Sequence, residues 1–248
     1  MEQWALVTGG GSGIGRALCL ELADQYGMSV LAVGRNRQKL LQTKAFNSAK
    51  IEICAADVSS EKGRENIVHC VNGKKLKFLI HNAAVLQPVK PLAQVELQEW
   101  RNHFATNVEG PLFLTQKLLP YLQKGARILH ISSGAAHHAY AGWGAYCASK
   151  AALNMLYRVW NLELQQRGIL VGSVRPGVVD TPMQDEVRKA PKEIFPALDK
   201  FLKLKDEGKL FSPQTVAAFI ARLLLHTDDR TFAGKEWDIR EDQHEFST

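Results

Sequence analysis

Two ionisable side chains stand four residues apart in Tyr146-Cys147-Ala148-Ser149-Lys150, and a Ser132-Ser133 pair closes a strand-like run just upstream, with Ser133 13 residues before the tyrosine. On a helix, positions i and i+4 share a face, so the phenol and the ammonium address one volume. That pairing suits proton transfer to or from an oxygen atom. A free phenol titrates at ~10, and bringing it near neutrality takes ~3 units, or ~4 kcal/mol. One cation at ~4 Å in an effective dielectric of ~20 supplies about that much, so Lys150 is expected to come close to sufficing. A tyrosine and a lysine at this spacing are nevertheless common on helices, and the pair gains meaning only from what surrounds it.

A second constellation lies at the start of the chain. Thr8-Gly9-Gly10-Gly11-Ser12-Gly13-Ile14-Gly15 follows a strand-like run and opens a helix at Arg16-Ala17-Leu18. Glycines there permit a tight turn and close backbone approach, so that a dinucleotide pyrophosphate can lie against N–H groups and the positive end of the helix dipole. The pattern is T-G-x-x-x-G-x-G rather than G-x-G-x-x-G. Dinucleotide folds that select NAD carry an acid about 20 positions beyond the turn, whereas a nearby arginine accommodates the 2′-phosphate of NADP. Arg35 stands 20 positions after Gly15, preceded by Gly34 and followed two residues on by Arg37, with no acid from Arg35 to Lys50. The expected cofactor is therefore NADP(H).

These residues need elements to hold them. Strand-like runs occur at Trp4–Val7, Val30–Val33, Ile51–Ala55, Phe78–Ile80, Arg127–Ile131 and Leu170–Val174, separated by segments of helical period. This alternation predicts βαβ units and a parallel sheet. Leu153, Leu156, Tyr157, Trp160 and Leu164 follow the i, i+3, i+4, i+7 template, as do Val216, Phe219, Ile220, Leu223 and Leu224, so both segments are predicted helices with a buried face or a subunit-facing stripe. The irregular stretch is Thr181 to Ser212, where Pro182, Pro191, Pro196 and Gly208 interrupt helical runs. Loops this long inside compact domains are usually functional, and a lid over a site at about 181–212 is expected.

Taken together, Thr8-Gly9-x-x-x-Gly13-x-Gly15, Asp57-Val58, Asn82-Ala83-Ala84, Asn107, Ser133, Tyr146-x-x-x-Lys150, Arg175-Pro176-Gly177 and Thr181 resemble the short-chain dehydrogenase/reductase family over nearly the whole chain. The resemblance implies one α/β domain over residues 1–248, a Rossmann-type, doubly wound parallel β-sheet with helices on both faces in a three-layer sandwich. It implies that Ser133 binds the substrate oxygen, that Tyr146 is the general acid/base, and that Lys150 binds the nicotinamide ribose and lowers the Tyr146 pKa. Asn107 would hold its helix and a relay water. Cofactor contacts are expected from Thr8, Gly9, Gly11, Ser12, Gly13, Ile14 and Gly15 at the turn, Arg35 and Asn36 at the phosphate, and Asp57, Val58, Asn82 and Ala83 around the adenosine. Lys150, Pro176, Gly177, Val178 and Thr181 are expected at the nicotinamide end, with transfer of the pro-S hydride.

Gly142-Trp143-x-x-Tyr146-Cys147-x-x-Lys150-Ala151-Ala152 and Asp180-Thr181-x-Met183-Gln184 are similar to the branch of sepiapterin and benzil reductases, which reduce vicinal dicarbonyls or α-hydroxy ketones with NADPH. In that branch an aspartate near the C-terminus anchors the pterin, and Asp238 falls at a matching place, although Arg240 is positioned to neutralise it. Val85, Leu86, Ala136, Trp143 and Met183 lie where the family places substrate loops, and all are apolar, pointing to a hydrophobic or flat aromatic carbonyl compound. Ser133, Trp143, Met183 and Asp238 are thus the expected substrate contacts. The reading is an NADPH-dependent carbonyl reductase, probed against two alternatives: an NADP-dependent alcohol or steroid dehydrogenase working oxidatively, and a non-catalytic NADP-sensing protein. The intact Ser133, Tyr146, Lys150 and Asn107 argue against the sensor.

Composition bounds the remaining classes. Hydrophobic residues make up 46% of the 248 and charged residues 23%, a balance that excludes disordered and fibrous chains. The net charge of +6 is concentrated between Arg35 and Lys50, without the long basic stripe or reading motif of a nucleic-acid binder. No run approaches the 18 apolar residues of a membrane span, so no membrane partner is expected. The start, Met-Glu-Gln-Trp, enters Ala5-Leu6-Val7 without the basic and apolar regions of a signal peptide, and Cys19, Cys54, Cys70 and Cys147 form no C-x-x-C pair. A cytoplasmic protein with reduced, mostly buried thiols is expected, assembled as a homodimer with a tetramer as the alternative. His137-His138 has no third ligand at metal-binding spacing, so no metal is expected, and the pair belongs to a pocket wall or the surface.

Overall fold

The computed structural model describes residues 2–246; Met1, Ser247 and Thr248, the ends of the expected unit, lie outside the described residues. In chain order the strands and α-helices are β1 (Trp4–Thr8), α1 (Gly13–Asp24), β2 (Ser29–Gly34), α2 (Arg37–Phe46), β3 (Ile51–Ala55), α3 (Glu61–Val71), β4 (Leu76–His81), α4 (Leu97–Phe104), α5 (Gly110–Leu118), β5 (Leu122–Ile131), α6 (Gly144–Leu164) and β6 (Leu170–Arg175). They continue with α7 (Pro182–Arg188), α8 (Leu198–Asp206), α9 (Pro213–His226), α10 (Asp229–Gly234), β7 (Glu236–Asp238) and α11 (Ile239–Asp242). Between α4 and α5 the helix loosens into a π turn over Ala105–Glu109.

Seven strands form one sheet in the order β3-β2-β1-β4-β5-β6-β7, each pair parallel. The order reverses between β1 and β4, and in open α/β sheets ligands bind at the carboxyl ends of the strands beside such a switch point. Because successive strand residues face opposite sides, both faces of a central strand must be apolar. β1 meets this: Ala5 and Val7 enter one core with α1 and α9, while Trp4 and Leu6 enter the other with α3, α5 and α6. The three-layer doubly wound architecture expected from the sequence is the architecture found.

Two expectations are corrected. The sequence gives no seventh strand, but Glu236–Asp238 pairs with β6, Trp237 being fully buried between two carboxylates. The 181–212 stretch is no irregular loop, for it contains α7 and α8. Pro182 begins α7, at a position where the missing N–H is unpaired in any helix, so this proline starts a helix instead of breaking one. Phe195 and Phe201 pack with Trp143 and Tyr146 into a third, smaller core beneath these helices. Cys19 and Cys54 are buried, whereas Cys70 and Cys147 are half-buried, and all four are free thiols.

Candidate active site

The glycine turn is shaped by close approach. Gly9 has φ +71°, and a Cβ there would lie 2.6 Å from Asn82 Nδ2; at Gly15 it would lie 2.3 Å from the Gly9 carbonyl oxygen. Asn82 Nδ2 donates to the Thr8 carbonyl at 2.8 Å, while the Thr8 hydroxyl donates to the Ile80 carbonyl and accepts from the N–H groups of Asn82 and Ala83 at 2.9 and 3.0 Å. Thr8 and Asn82 thus sew β1 to the end of β4 at the switch point. Arg16 locks the outside of the turn, donating to the Gly11 carbonyl at 2.7 Å and to the Thr43 hydroxyl of α2 at 3.2 Å. A backbone arch left open on its inner side results.

A cavity of about 790 Å³ runs from this arch across the carboxyl ends of the strands to α8. Its walls include Gly9, Gly11, Ser12, Gly13, Ile14, Arg35, Asn36, Asp57, Val58, Asn82 and Ala83, then Ser133, Trp143, Tyr146, Lys150, Pro176, Gly177, Val178, Thr181 and Met183. Four expected site residues stand outside the wall. Thr8, Gly15 and Asn107 lie behind it and shape it. Asp238 is fully buried, its carboxylate held by Arg240 and by Arg175 at 3.3 Å, and it caps α11 by accepting from the Arg240 N–H at 2.9 Å. Burial pushes that carboxyl up, but the Arg240 hydrogen bonds and the Arg175 charge prevail and hold it below the usual carboxylate range. Arg175 and Arg240, rather than Asp238, face the cavity.

At one end of the cavity, Gly34 ends β2 and Arg35 follows it, exposed, and both Arg35 and Lys39 of α2 line the wall. Asn36 caps α2, its Oδ1 accepting from the Lys39 N–H at 3.0 Å. Asp57 Oδ1 accepts from the N–H and hydroxyl of Ser59 at 3.0 and 2.7 Å, which fixes the turn after β3. The turn leaves Asp57 and Val58 facing the cavity.

At the other end, α6 starts at Gly144, so Tyr146 and Lys150 both stand in its first two turns. Lys150 Nζ donates to the Ile131 carbonyl at 2.8 Å and lies 5.7 Å from the Tyr146 ring centre. Burial dominates both groups. It pushes the Tyr146 phenol up to about 12, against the opposing contact with the Ser133 hydroxyl, and it brings Lys150 down to about 8. The expectation that Lys150 comes close to offsetting the phenol's reluctance to ionise is therefore corrected: burial dominates, the Ser133 hydroxyl opposes it only in part, and the Tyr146 phenol keeps its proton.

Around the phenol stands an aromatic wall. Trp143 meets Tyr146 edge-on at 5.7 Å between ring centres and stacks on Phe195 at 4.6 Å, while Tyr140 and Phe201 complete the cluster. Of the apolar loop residues singled out by sequence, Val85, Leu86, Trp143 and Met183 line the cavity and Ala136 does not; its neighbour Ala135 does. His137 instead pairs with Glu236 at 2.5 Å, and neither it nor His138 lines the cavity. Sequence reading missed Tyr140, Phe201 and Lys39. The first two have no local signal, because only the packing of α8 against the loop before α6 brings them together; Lys39 stood in the acid-free run.

The residues present suit a nicotinamide dinucleotide: an open backbone arch at the glycine turn and the cations Arg35 and Lys39 line one cavity with Tyr146 and Lys150. The chain belongs to the short chain dehydrogenase family, whose model matches residues 3–192. It is an oxidoreductase of that family. A benzil reductase forming (S)-benzoin from Bacillus cereus is 33% identical over 239 residues, covering 92% of this chain and 95% of that protein. Sepiapterin reductase of Mus musculus is 34% identical over 239 residues, covering 88% and 90%. Among solved structures, a short chain dehydrogenase from Burkholderia cenocepacia in complex with NADP superposes with a TM-score of 0.79 at 26% identity, covering 94% of each chain.

Proposed function

We propose that this protein is an NADPH-dependent carbonyl reductase that acts on a vicinal dicarbonyl or a ketone flanked by aromatic groups, with Tyr146 as the general acid. The observation that carries this reading is the buried, neutral Tyr146 phenol set beside Ser133 and Lys150 in the wall of one cavity whose near side is aromatic. When bound, the reduced dinucleotide supplies the hydride. The protein's part is to hold the carbonyl oxygen by the Ser133 hydroxyl and to deliver the Tyr146 proton to that oxygen as negative charge develops on it. Lys150, anchored on the Ile131 carbonyl, offers its remaining donors to the cofactor ribose and stabilises the phenolate left behind. The aromatic wall excludes water and favours flat substrates.

Burial favours the protonated form of Tyr146, which is the form the reductive step consumes. NADPH over NADH rests on Gly34, which carries no carboxylate, and on Arg35, whose paired N–H donors to phosphate are worth roughly 1.5–3 kcal/mol, or about tenfold to hundredfold. The NADP complex of the Burkholderia cenocepacia relative is in keeping with this. In this reading residues 1–248 act as one cofactor-binding domain with 181–212 as its lid, in a reducing compartment such as the cytoplasm that suits four free thiols, and as a homodimer. The test is NADPH oxidation with a panel of benzil, a quinone, sepiapterin and acetone. An aromatic vicinal dicarbonyl is expected to give the highest kcat/KM, and no turnover with any member would overturn the proposal.

A further inference from the structure

The residue after Thr106 in the π turn, Asn107, is tied to the loop that follows β4 by a reciprocal pair: its Nδ2 donates to the Val85 carbonyl and its Oδ1 accepts from the Val85 N–H, each at 2.9 Å. With Oδ1 so engaged, the second Nδ2 proton points towards His103 Nε2 at 2.9 Å, with Ser149 Oγ at 3.1 Å. An amide nitrogen is a donor only, so His103 Nε2 must be bare. The imidazole proton then sits on Nδ1, and Nδ1 faces the Gln87 carbonyl at 2.8 Å, which can only accept. The tautomer is fixed from both ends. His103 is 1% exposed, and Ser149 passes the network to α6 by donating to the Tyr146 carbonyl at 2.9 Å.

We propose that His103 is a positioning residue for the reaction: as the Nδ1–H tautomer it holds the Asn107 carboxamide in the one orientation that pins Val85 and turns Nδ2 towards Ser149 of α6, which sets α6 against the loop that lines the cavity. The proposal rests on the reading of Tyr146, Ser133 and Lys150 given under Proposed function. Val85, Leu86 and Gln87 all face the cavity, so a rotated Asn107 amide would set its N–H against the Val85 N–H and release that wall. An imidazolium would have the same effect, bringing an N–H against Nδ2. Burial pushes His103 towards the neutral form, the Gln87 contact opposes this and the Lys150 charge adds to it; the other groups facing the ring are Tyr146, edge-on at 6.2 Å, and the Ser149 hydroxyl at 3.2 Å. A histidine serving only as core packing would have no need of a particular tautomer.

Three variants separate these roles. His103→Gln keeps an acceptor within reach of Asn107, His103→Asn keeps only a donor for Gln87, and His103→Leu keeps neither. With benzil and NADPH, the Leu and Asn variants are expected to lose at least tenfold in kcat while their NADPH Kd stays within threefold, and the Gln variant to retain at least a third of kcat. Equal losses in Gln and Asn, or a Leu variant within twofold of the wild type, would overturn the proposal. Should the Leu variant not fold, the comparison of Gln with Asn decides. Independently of turnover, long-range 1H–15N correlation on the unliganded wild type should find Nδ1 protonated and Nε2 bare at pH 7, with slowly exchanging Asn107 amide protons that exchange faster in the Asn variant. An Nε2-protonated ring or unchanged exchange would overturn it. Failure of the wild type to reduce any carbonyl compound would sink the proposed function instead, and the NMR arm would still decide the role of His103.

Discussion

Replacing Lys150 by Met keeps the length and the apolar stem of the side chain and removes its charge, and the structure fixes what this does to stability as pH changes. Lys150 is 3% exposed, and burial lowers its pKa from 10.5 to about 8. A lysine whose folded pKa lies below its unfolded value destabilises the fold while it is charged. Below pH 8 both states hold the proton, and the full penalty of about 3 kcal/mol applies. From pH 8 to pH 10.5 the unfolded chain holds the proton and the folded one does not, so stability rises with pH. By pH 10 the wild type should have regained most of this, roughly 2–3 kcal/mol, that the Lys150→Met variant never lost. Loss of the bond to the Ile131 carbonyl is the same at every pH and cancels in the comparison. The assay is urea unfolding of the unliganded wild type and variant at pH 7 and pH 10, followed by tryptophan fluorescence. The expected result is a stability difference between the two proteins that shifts by roughly 2–3 kcal/mol in favour of the wild type between these pH values. Parallel behaviour of the two proteins would refute the reasoning, since it would mean that Lys150 titrates alike in folded and unfolded chains.

The double substitution Gly34→Asp with Arg35→Ala should erase or reverse a wild-type preference for NADPH of at least about tenfold in kcat/KM; a Cβ at Gly34 meets only Leu40, at 3.5 Å, so the aspartate fits without strain. Equal use of both cofactors by the wild type would return Arg35 to ordinary surface charge. Leu162→Lys should halve the mass seen by light scattering, because Met155, Val159 and Leu162 form an exposed apolar stripe on α6, Leu162 being 73% exposed. A monomeric wild type would end the dimer expectation. Asp238→Asn should leave the KM for sepiapterin unchanged and lower stability by about 1–3 kcal/mol, since Arg175 and Arg240 would lose their shared buried carboxylate. A raised KM with unchanged stability would restore Asp238 to the substrate.

Much of this architecture was legible because each part of it obeys a local rule. The central strands are apolar on both faces, the glycine turn needs backbone conformations and approaches that side chains forbid, and Tyr146 and Lys150 meet by helical spacing alone. What escaped depends on contacts distant in sequence. β7 has one apolar residue between Glu236 and Asp238, and these carboxylates are tolerated in a strand because Arg175, some 60 positions away, pairs with both. α7 hides behind Pro182, which sequence reading took as a breaker. His103, flanked by Asn102 and Phe104, carries no local sign that its ring joins Gln87, Asn107 and Ser149. The proximity of Lys150 to the phenol is readable from spacing, whereas the burial that holds the Tyr146 proton is not.

The central claim is that the buried Tyr146 phenol gives its proton to the substrate carbonyl, and single-turnover reduction of benzil by NADPH, in wild type and Tyr146→Phe, tests it most directly. The wild type should consume one NADPH per benzil reduced to benzoin. The phenylalanine variant should bind NADPH with a Kd within threefold of the wild type and reduce benzil at least a hundredfold more slowly, because only the interaction made in the transition state has been removed. A variant that keeps more than a tenth of the wild-type rate would contradict the account.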